Sequence, residues 1–105
     1  MSRWIRIATA GDCPPGEGLE CVVEGQIVAL FNVDGAFYAI DGVCPHQGGP
    51  LAKGCLEGTT VSCPWHGWQF DVVTGRHRSA KSVVQRCFKT RVAGDDVLIE
   101  MEGGL

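Results

Sequence analysis

Two cysteines and two histidines, placed in two short loops, are the residues of this chain best suited to bind a metal. The first loop contains Cys44-x-His46 and the second contains Cys63-x-x-His66, with sixteen residues between His46 and Cys63. Glycines and prolines flank all four side chains, so we expect them on turns rather than on helices. Thiolates are the soft donors that iron–sulfur centres need, whereas neutral imidazoles remove negative charge and raise the reduction potential. The pattern therefore predicts a metal centre held between two loops.

The stretch 41–76 resembles the Rieske family, whose [2Fe–2S] cluster has two cysteine and two histidine ligands. The matching residues are Cys44-Pro45-His46, Gly48, Leu51, Gly54, Gly58, Val61, Cys63-Pro64-Trp65-His66-Gly67, Phe70 and Thr74-Gly75. The resemblance implies that Cys44 and Cys63 bind one iron, and that His46 and His66 bind the other. It also implies that nearby glycines let backbone N–H groups approach the bridging sulfides.

A structural zinc site is the main alternative, because two cysteines and two histidines are also a common zinc ligand set. Zinc sites usually pair Cys-x₂₋₄-Cys with His-x₃₋₅-His, whereas each loop here mixes one cysteine with one histidine. The third histidine, His77, has no carboxylate partner in an evident motif. This disfavours a mononuclear iron site with two histidines and one carboxylate. A zinc-stabilised interaction module stays open, although the spacing disfavours it.

The length of 105 residues predicts one domain, 1–105, with a cluster-binding subdomain at about 41–76. The net charge of −3 argues against a nucleic-acid partner, which would need a clustered basic face. The stretch 1–11 has no apolar run long enough for a signal peptide or a membrane span, so we expect a cytoplasmic protein with no membrane partner. The cytosol disfavours disulfides. We therefore predict small buried or half-buried thiols at the four other cysteines, which are Cys13, Cys21, Cys55 and Cys87.

Short runs rich in β-forming residues, separated by turn signals, predict an all-β fold with an antiparallel sandwich or barrel. The expected strands are 4–8, 20–23, 26–33, 36–40, 59–63, 69–73, 87–92 and 97–101. Asp34-Gly35 is a strong hairpin signal, and the stretch 79–86 is predicted to be a loop. The Rieske resemblance implies a β-sandwich base that carries the two ligand loops as a smaller subdomain.

Two features distinguish the branches of the family. Rieske subunits of cytochrome complexes carry a disulfide between the ligand loops, whose cysteines would fall at Gly49 and Trp65 in this chain. They also place Ser and Tyr hydroxyls near the sulfurs, at the positions of Trp68 and Phe70. Without those donors the reduced cluster is less stabilised, so we expect a potential of about −150 mV rather than about +300 mV.

By resemblance, the chain is then a low-potential Rieske ferredoxin. It is not itself an enzyme, but passes single electrons from a flavoprotein reductase to a terminal oxygenase that hydroxylates aromatic rings. The cluster carries the redox chemistry, and the protein supplies position and tuning. A small subunit of an assimilatory nitrite reductase has the same fold and is the alternative.

The two histidines, His46 and His66, are expected to form the tip that docks onto partners. Candidate partner contacts around the tip are Pro45, Gln47, Pro64 and Trp65. Trp65 could equally pack between the loops and shield the cluster from water. The third loop, which often contains proline in this family, is 78–84 here and has none. The basic residues Arg76, Arg78, Lys81 and Arg86 are expected to form an ordinary solvated face.

Overall fold

The computed structural model of the protein describes residues 2–45, 48–65, 67–80 and 82–102. These residues form β-strands and two short 3₁₀ helices, Ala10–Asp12 and Leu51–Lys53. The strands are β1 (Ser2–Thr9), β2 (Gly18–Val23), β3 (Gln26–Val33), β4 (Ala36–Asp41), β5 (Cys55–Glu57), β6 (Thr60–Ser62), β7 (Gln69–Asp71), β8 (Cys87–Phe88), β9 (Thr90–Ala93) and β10 (Asp96–Glu102). The predicted all-β class is confirmed.

The strands form three antiparallel sheets. The first sheet has the order β1-β10-β9, the second β2-β3-β4-β8 and the third β5-β6-β7. The first two sheets make the base of the molecule. The third sheet connects the two ligand loops, because β5 and β6 lie between Cys44 and Cys63 and β7 follows the second loop. The two ligand loops are therefore linked by a sheet of short strands, with three residues each.

Strand β3 is shared by the two hydrophobic cores of the molecule. Five consecutive residues of β3, 28–32, are buried. Alternate side chains of a strand point to opposite faces. Val28 and Leu30 accordingly join the first core, with Val97 and Ile99 of β10. The alternate residues of the same strand point to the other side, toward the ligand region, which we define as residues 41–76 with the two ligand loops and the third sheet. The base and the ligand region therefore pack on opposite faces of one strand.

The second core fixes the ligand region to the base. Ala29 and Phe31 of β3 contribute to it from the base side. The ligand region contributes Leu51, Ala52, Val61, Phe70 and Val72, together with the thiols of Cys44 and Cys63. Because both predicted ligand cysteines belong to this core, the position of each depends on apolar packing as well as on its own loop.

Tight turns set the register of the base. Asp34 and Gly35 have φ of 51° and 93°, so both take the left-handed conformation that a two-residue type I′ hairpin requires. Residue Val33 pairs with Ala36 across this turn. The Asp34-Gly35 hairpin prediction is confirmed, and Glu24-Gly25 makes an equivalent turn with φ of 52° and 80°.

Two differences from the prediction go beyond a shift of strand ends. The segment 87–92, expected to be one strand, is divided at Lys89: β8 pairs with β4 in the second sheet, and β9 pairs with β10 in the first. The backbone carbonyl of Lys89 accepts the N–H of Glu100 where the chain passes between sheets. Strand β5 was not predicted, and it forms by pairing with β6. Both differences depend on distant strands that local patterns do not reveal.

All six cysteines are free thiols. Cys13 and Cys21 are buried in the first core, as predicted. Cys55 and Cys87 are exposed, so the prediction of buried or half-buried thiols is wrong for these two. Cys55 is exposed because β5 is an edge strand whose central residue, Leu56, is the one turned inward. Nothing in the part of the chain that the structure describes is a helix long and apolar enough to span a membrane.

Candidate metal centre

The two predicted ligand loops share one backbone design. In the first loop, the N–H of Cys44 donates to the carbonyl of Gly49 (2.9 Å), and the N–H of Gly48 donates to the carbonyl of Cys44 (2.8 Å). In the second loop, the N–H of Cys63 donates to the carbonyl of Trp68 (2.7 Å), and the N–H of Gly67 donates to the carbonyl of Cys63 (3.1 Å). Each cysteine therefore begins an equivalent loop of six residues.

A glycine stands at the same place in each loop, four residues after the cysteine. Gly48 has φ of 78° and Gly67 has φ of 72°. A residue with a Cβ is strained in this left-handed region, whereas glycine is not. The repeated spacing Cys-x₃-Gly is visible in the sequence, and the structure adds that both glycines take the left-handed conformation.

The thiols of Cys44 and Cys63 are buried side by side. Their residues are 1% and 3% exposed, and both belong to the second core. Burial raises the pKa of the Cys63 thiol; the backbone N–H of Trp65 opposes this change, and the adjacent Cys44 side chain raises the pKa further. A metal ion binds the thiolate form of cysteine, so a bound cation replaces the proton of a buried thiol. The pair is thus suited to a metal centre.

Backbone from the first loop lies against the thiol of the second. A Cβ placed on Gly49 would be 2.6 Å from Cys63 Sγ and 3.2 Å from Trp65 Cβ. A side chain at position 49 would have to displace the Cys63 thiol, and glycine avoids this. The same closeness shows that positions 49 and 65 are near the Cβ separation of a disulfide, about 3.5–4.5 Å. Neither residue is a cysteine here, so the two loops have no covalent link at this point.

The predicted histidine ligands, His46 and His66, lie outside the described residues, as does Gln47. The structure therefore brings together two of the four predicted ligands. Within the described ranges, no three side chains of His, Cys, Asp or Glu form a group that could hold a metal ion. The remaining predicted neighbours are exposed: Pro45, Pro64 and Trp65, the last with half of its surface accessible.

Trp68 and Phe70, the positions without hydroxyl groups, form an aromatic cluster with His77. The His77 ring meets the edges of both at nearly right angles, with centroid distances of 4.8 Å and 5.2 Å. His77 Nδ1 accepts the backbone N–H groups of Ser79 (3.0 Å) and Ala80 (2.9 Å). This nitrogen is therefore occupied in shaping the third loop.

The family model of the Rieske [2Fe–2S] domain matches residues 3–93. The chain belongs to the Rieske [2Fe–2S] family. The ferredoxin component of biphenyl 2,3-dioxygenase from Rhodococcus jostii (strain RHA1) is 36% identical over 95% of this chain and 94% of that protein.

Two solved structures show how widely the Rieske fold of this chain is shared. A chain in the complex of reduced oxygenase and oxidised ferredoxin of carbazole 1,9a-dioxygenase is 31% identical, with a TM-score of 0.84 over 97% of this chain and 96% of that one. A protein of Mycobacterium tuberculosis, assigned as the small subunit of an NADH-dependent nitrite reductase, superimposes with a TM-score of 0.90 over 99% of both chains. At 21% identity, the second likeness shows the fold alone.

The cofactor of the Rieske family is one [2Fe–2S] cluster bound by two cysteines and two histidines. Cys44 and Cys63, the two predicted ligands that the structure describes, fit this cluster. Their two thiols are adjacent, free and buried, and Gly49 leaves room beside Cys63 where a side chain would intrude. Such a cluster, when bound, takes up and releases one electron.

Proposed function

We propose that this protein is a Rieske ferredoxin that delivers single electrons to the terminal oxygenase of a system that hydroxylates aromatic rings. It is an electron carrier rather than a catalyst. The observation that carries the proposal is the match to a dioxygenase ferredoxin component over nearly the full length of both chains. The adjacent buried thiols of Cys44 and Cys63 support it, because they are the donors such a carrier needs.

The ligand assignment is part of the proposal. Cys44 and Cys63 hold one iron of the cluster, and His46 and His66 hold the other. The nearly complete burial of the two cysteines suits the inner iron. In the same proposal the chain is one Rieske domain, 1–105. Its cluster-binding subdomain, about 41–76, comprises the two ligand loops and the third sheet.

The exposed apolar residues beside the ligands form the proposed docking end. Pro45, Pro64 and Trp65 are exposed, and so is Val43 at the start of the first loop. Large aromatic residues are typical anchors of protein interfaces. Because one cluster must both receive and deliver the electron, a flavoprotein reductase and the oxygenase would use the same end in turn. Six unpaired cysteines suit a reducing compartment, so we place this exchange in the cytoplasm.

A spectroelectrochemical titration of the purified protein, at neutral and alkaline pH, tests the proposal. A chromophore with a potential of about −150 mV is expected, because Trp68 and Phe70 bring no hydroxyl to the cluster. A strongly positive potential that falls as the pH rises through neutrality would assign the protein to quinol oxidation instead. A colourless protein that contains one zinc per chain would leave only a structural module.

The partner is tested separately. The reduced protein is mixed with an oxidised oxygenase of the biphenyl dioxygenase type, and reoxidation is followed by stopped-flow absorbance. We expect saturable, single-electron reoxidation. Failure with several such oxygenases, together with stable co-purification with a large haem-containing subunit, would favour the nitrite reductase alternative.

A further inference from the structure

Residues on both sides of the third loop, 78–84, contact the ligand loops: His77 packs against Trp68 of the second loop, and Gln85 binds the backbone that leads into the first. Gln85 is 6% exposed, one of two buried polar residues among the described part of the chain. Its Nε2 donates to the carbonyl of Asp41 (3.1 Å) and to the carbonyl of Val43 (2.7 Å). Both hydrogens of this amide are thus used on the backbone that leads into Cys44.

The position of Gln85 is itself tightly set. Its N–H donates to the carbonyl of Gly75 (2.6 Å), and the next residue, Arg86, accepts the N–H of Asp41 (2.8 Å). A Cβ on Gly75 would overlap the carbonyl oxygen of Gln85, and Gly75 has φ of 78°. Glycine is therefore required there for the two segments to approach so closely. The amide is held rigidly where it meets the first ligand loop.

Of the three backbone carbonyls before Cys44, two accept hydrogen bonds from Gln85. Gly42 is bound without Gln85: its N–H donates to the carbonyl of Ile27 in the base (3.0 Å), and its carbonyl accepts the N–H of Leu51 in the ligand region (3.0 Å). The carbonyls on either side of Gly42 are the two that accept from Gln85. Three consecutive peptide carbonyls before the ligand are thereby fixed, and the central one alone does not involve Gln85.

We propose that Gln85 is a positioning residue for the cluster, acting through the backbone that carries Cys44. It does not contact the reacting atoms; it holds the base of the first ligand loop against the third loop. In this chain a side-chain amide thus fixes a third loop that contains no proline. The inference rests on the proposed assignment of Cys44 as a ligand.

The test compares Gln85→Leu with Asn32→Leu in the cluster-loaded protein. Asn32 is the matched control because it is the other buried amide, 4% exposed, and its bonds lead elsewhere. Its Nδ2 donates to the carbonyl of Cys13 (2.8 Å), and its Oδ1 accepts the N–H of Gly35 (2.7 Å). Both variants lose one buried amide, but only the first variant loses bonds to a ligand loop.

Three quantities are measured: the electron paramagnetic resonance spectrum of the reduced protein, its potential, and hydrogen exchange of the amides in 41–51. For Gln85→Leu we expect altered g values, a shifted potential and exchange about tenfold faster, because the carbonyls of Asp41 and Val43 lose their donor. For Asn32→Leu we expect lower thermal stability with all three quantities unchanged. Loss of the cluster from a folded Gln85→Leu protein, with the cluster retained in Asn32→Leu, also supports the proposal.

Gln85→Glu is the second variant if Gln85→Leu does not fold, since its carboxylate keeps the size of the amide but donates no hydrogen bond at pH 8. Wild-type values of all three quantities in a folded Gln85 variant would overturn the positioning role. Wild-type protein without any iron–sulfur cluster would instead defeat the proposed function, so the two failures are distinguishable.

Discussion

The base and the ligand region of this molecule are built by different means. In the base, β1 and β3 have eight residues each and β10 has seven. In the ligand region, β5, β6 and β7 have three residues each. Strands of three residues are too short to be stable without other contacts. The ligand region therefore relies on the second core, on loop hydrogen bonds and on the bound cluster, whereas the base is stabilised by its long strands and its own core.

This contrast predicts that the base tolerates loss of the cluster better than the ligand region does. Metal binding contributes directly to folding when the site forms only in the folded chain. The following predictions test the contrast, and each pairs a residue of the ligand region with a residue that should not affect the cluster.

Replacement of a proposed ligand has the largest expected effect. His66→Ala should abolish the visible absorbance of the cluster, because one iron would lose a ligand. His77→Phe is the control, because it removes the one histidine outside the two ligand loops. Phenylalanine loses the two hydrogen bonds to Nδ1 but keeps a ring against Trp68 and Phe70, so the absorbance should persist. An unchanged spectrum in His66→Ala would refute the ligand assignment.

New hydroxyl groups near the cluster should raise the potential. Trp68→Ser combined with Phe70→Tyr should raise it on the order of 100 mV, because hydrogen bonds to the sulfurs stabilise the reduced state. Phe88→Tyr in the first core is the control and should leave the potential unchanged. If the double variant keeps its cluster and its potential does not move, the missing hydroxyls do not explain a low value.

Two fully buried valines, one in each core, allow the two cores to be tested separately. Val61 belongs to the second core and Val97 to the first. Val61→Ala and Val97→Ala should each lower the free energy of unfolding by about 2 kcal/mol, measured by denaturant titration. Only Val61→Ala should also speed loss of the cluster to a chelator, since Val61 lies two residues before Cys63. Equal rates of loss would show that the two regions are not distinct.

Exposed Trp65 should matter for the partner and little for the cluster. Trp65→Ala should slow electron transfer to the oxygenase about tenfold, because an anchor of the interface is lost. The potential of the cluster should not change. Val92→Ala is the control, because Val92 is exposed to a similar extent on β9 of the base, at 49% against 50%. A changed potential with normal transfer would instead assign Trp65 to shielding the cluster.

The turns could be predicted because they are local, and the proposed ligand residues were chosen on local spacing as well. Asp34-Gly35 determines its own hairpin, since the two residues tolerate the left-handed backbone that the turn needs. Cys-x-His and Cys-x-x-His are chelating groups set by their spacing alone. The turn signals Glu24-Gly25 and Asp34-Gly35 likewise bounded the predicted strands, so β3 has its predicted bounds and β2 begins two residues earlier than predicted.

By itself, the sequence determined the all-β class and the hairpins of the base, because backbone preference is a property of neighbouring residues. It also supplied the proposed ligands, through the chemistry and spacing of four side chains. Only the tertiary structure decided the rest. It divided 87–92 between two sheets, formed β5 at an edge with Cys55 exposed, and joined Gln85 to carbonyls more than forty residues away. These features depend on which distant strands meet, and a local pattern of residues carries no information about such partners.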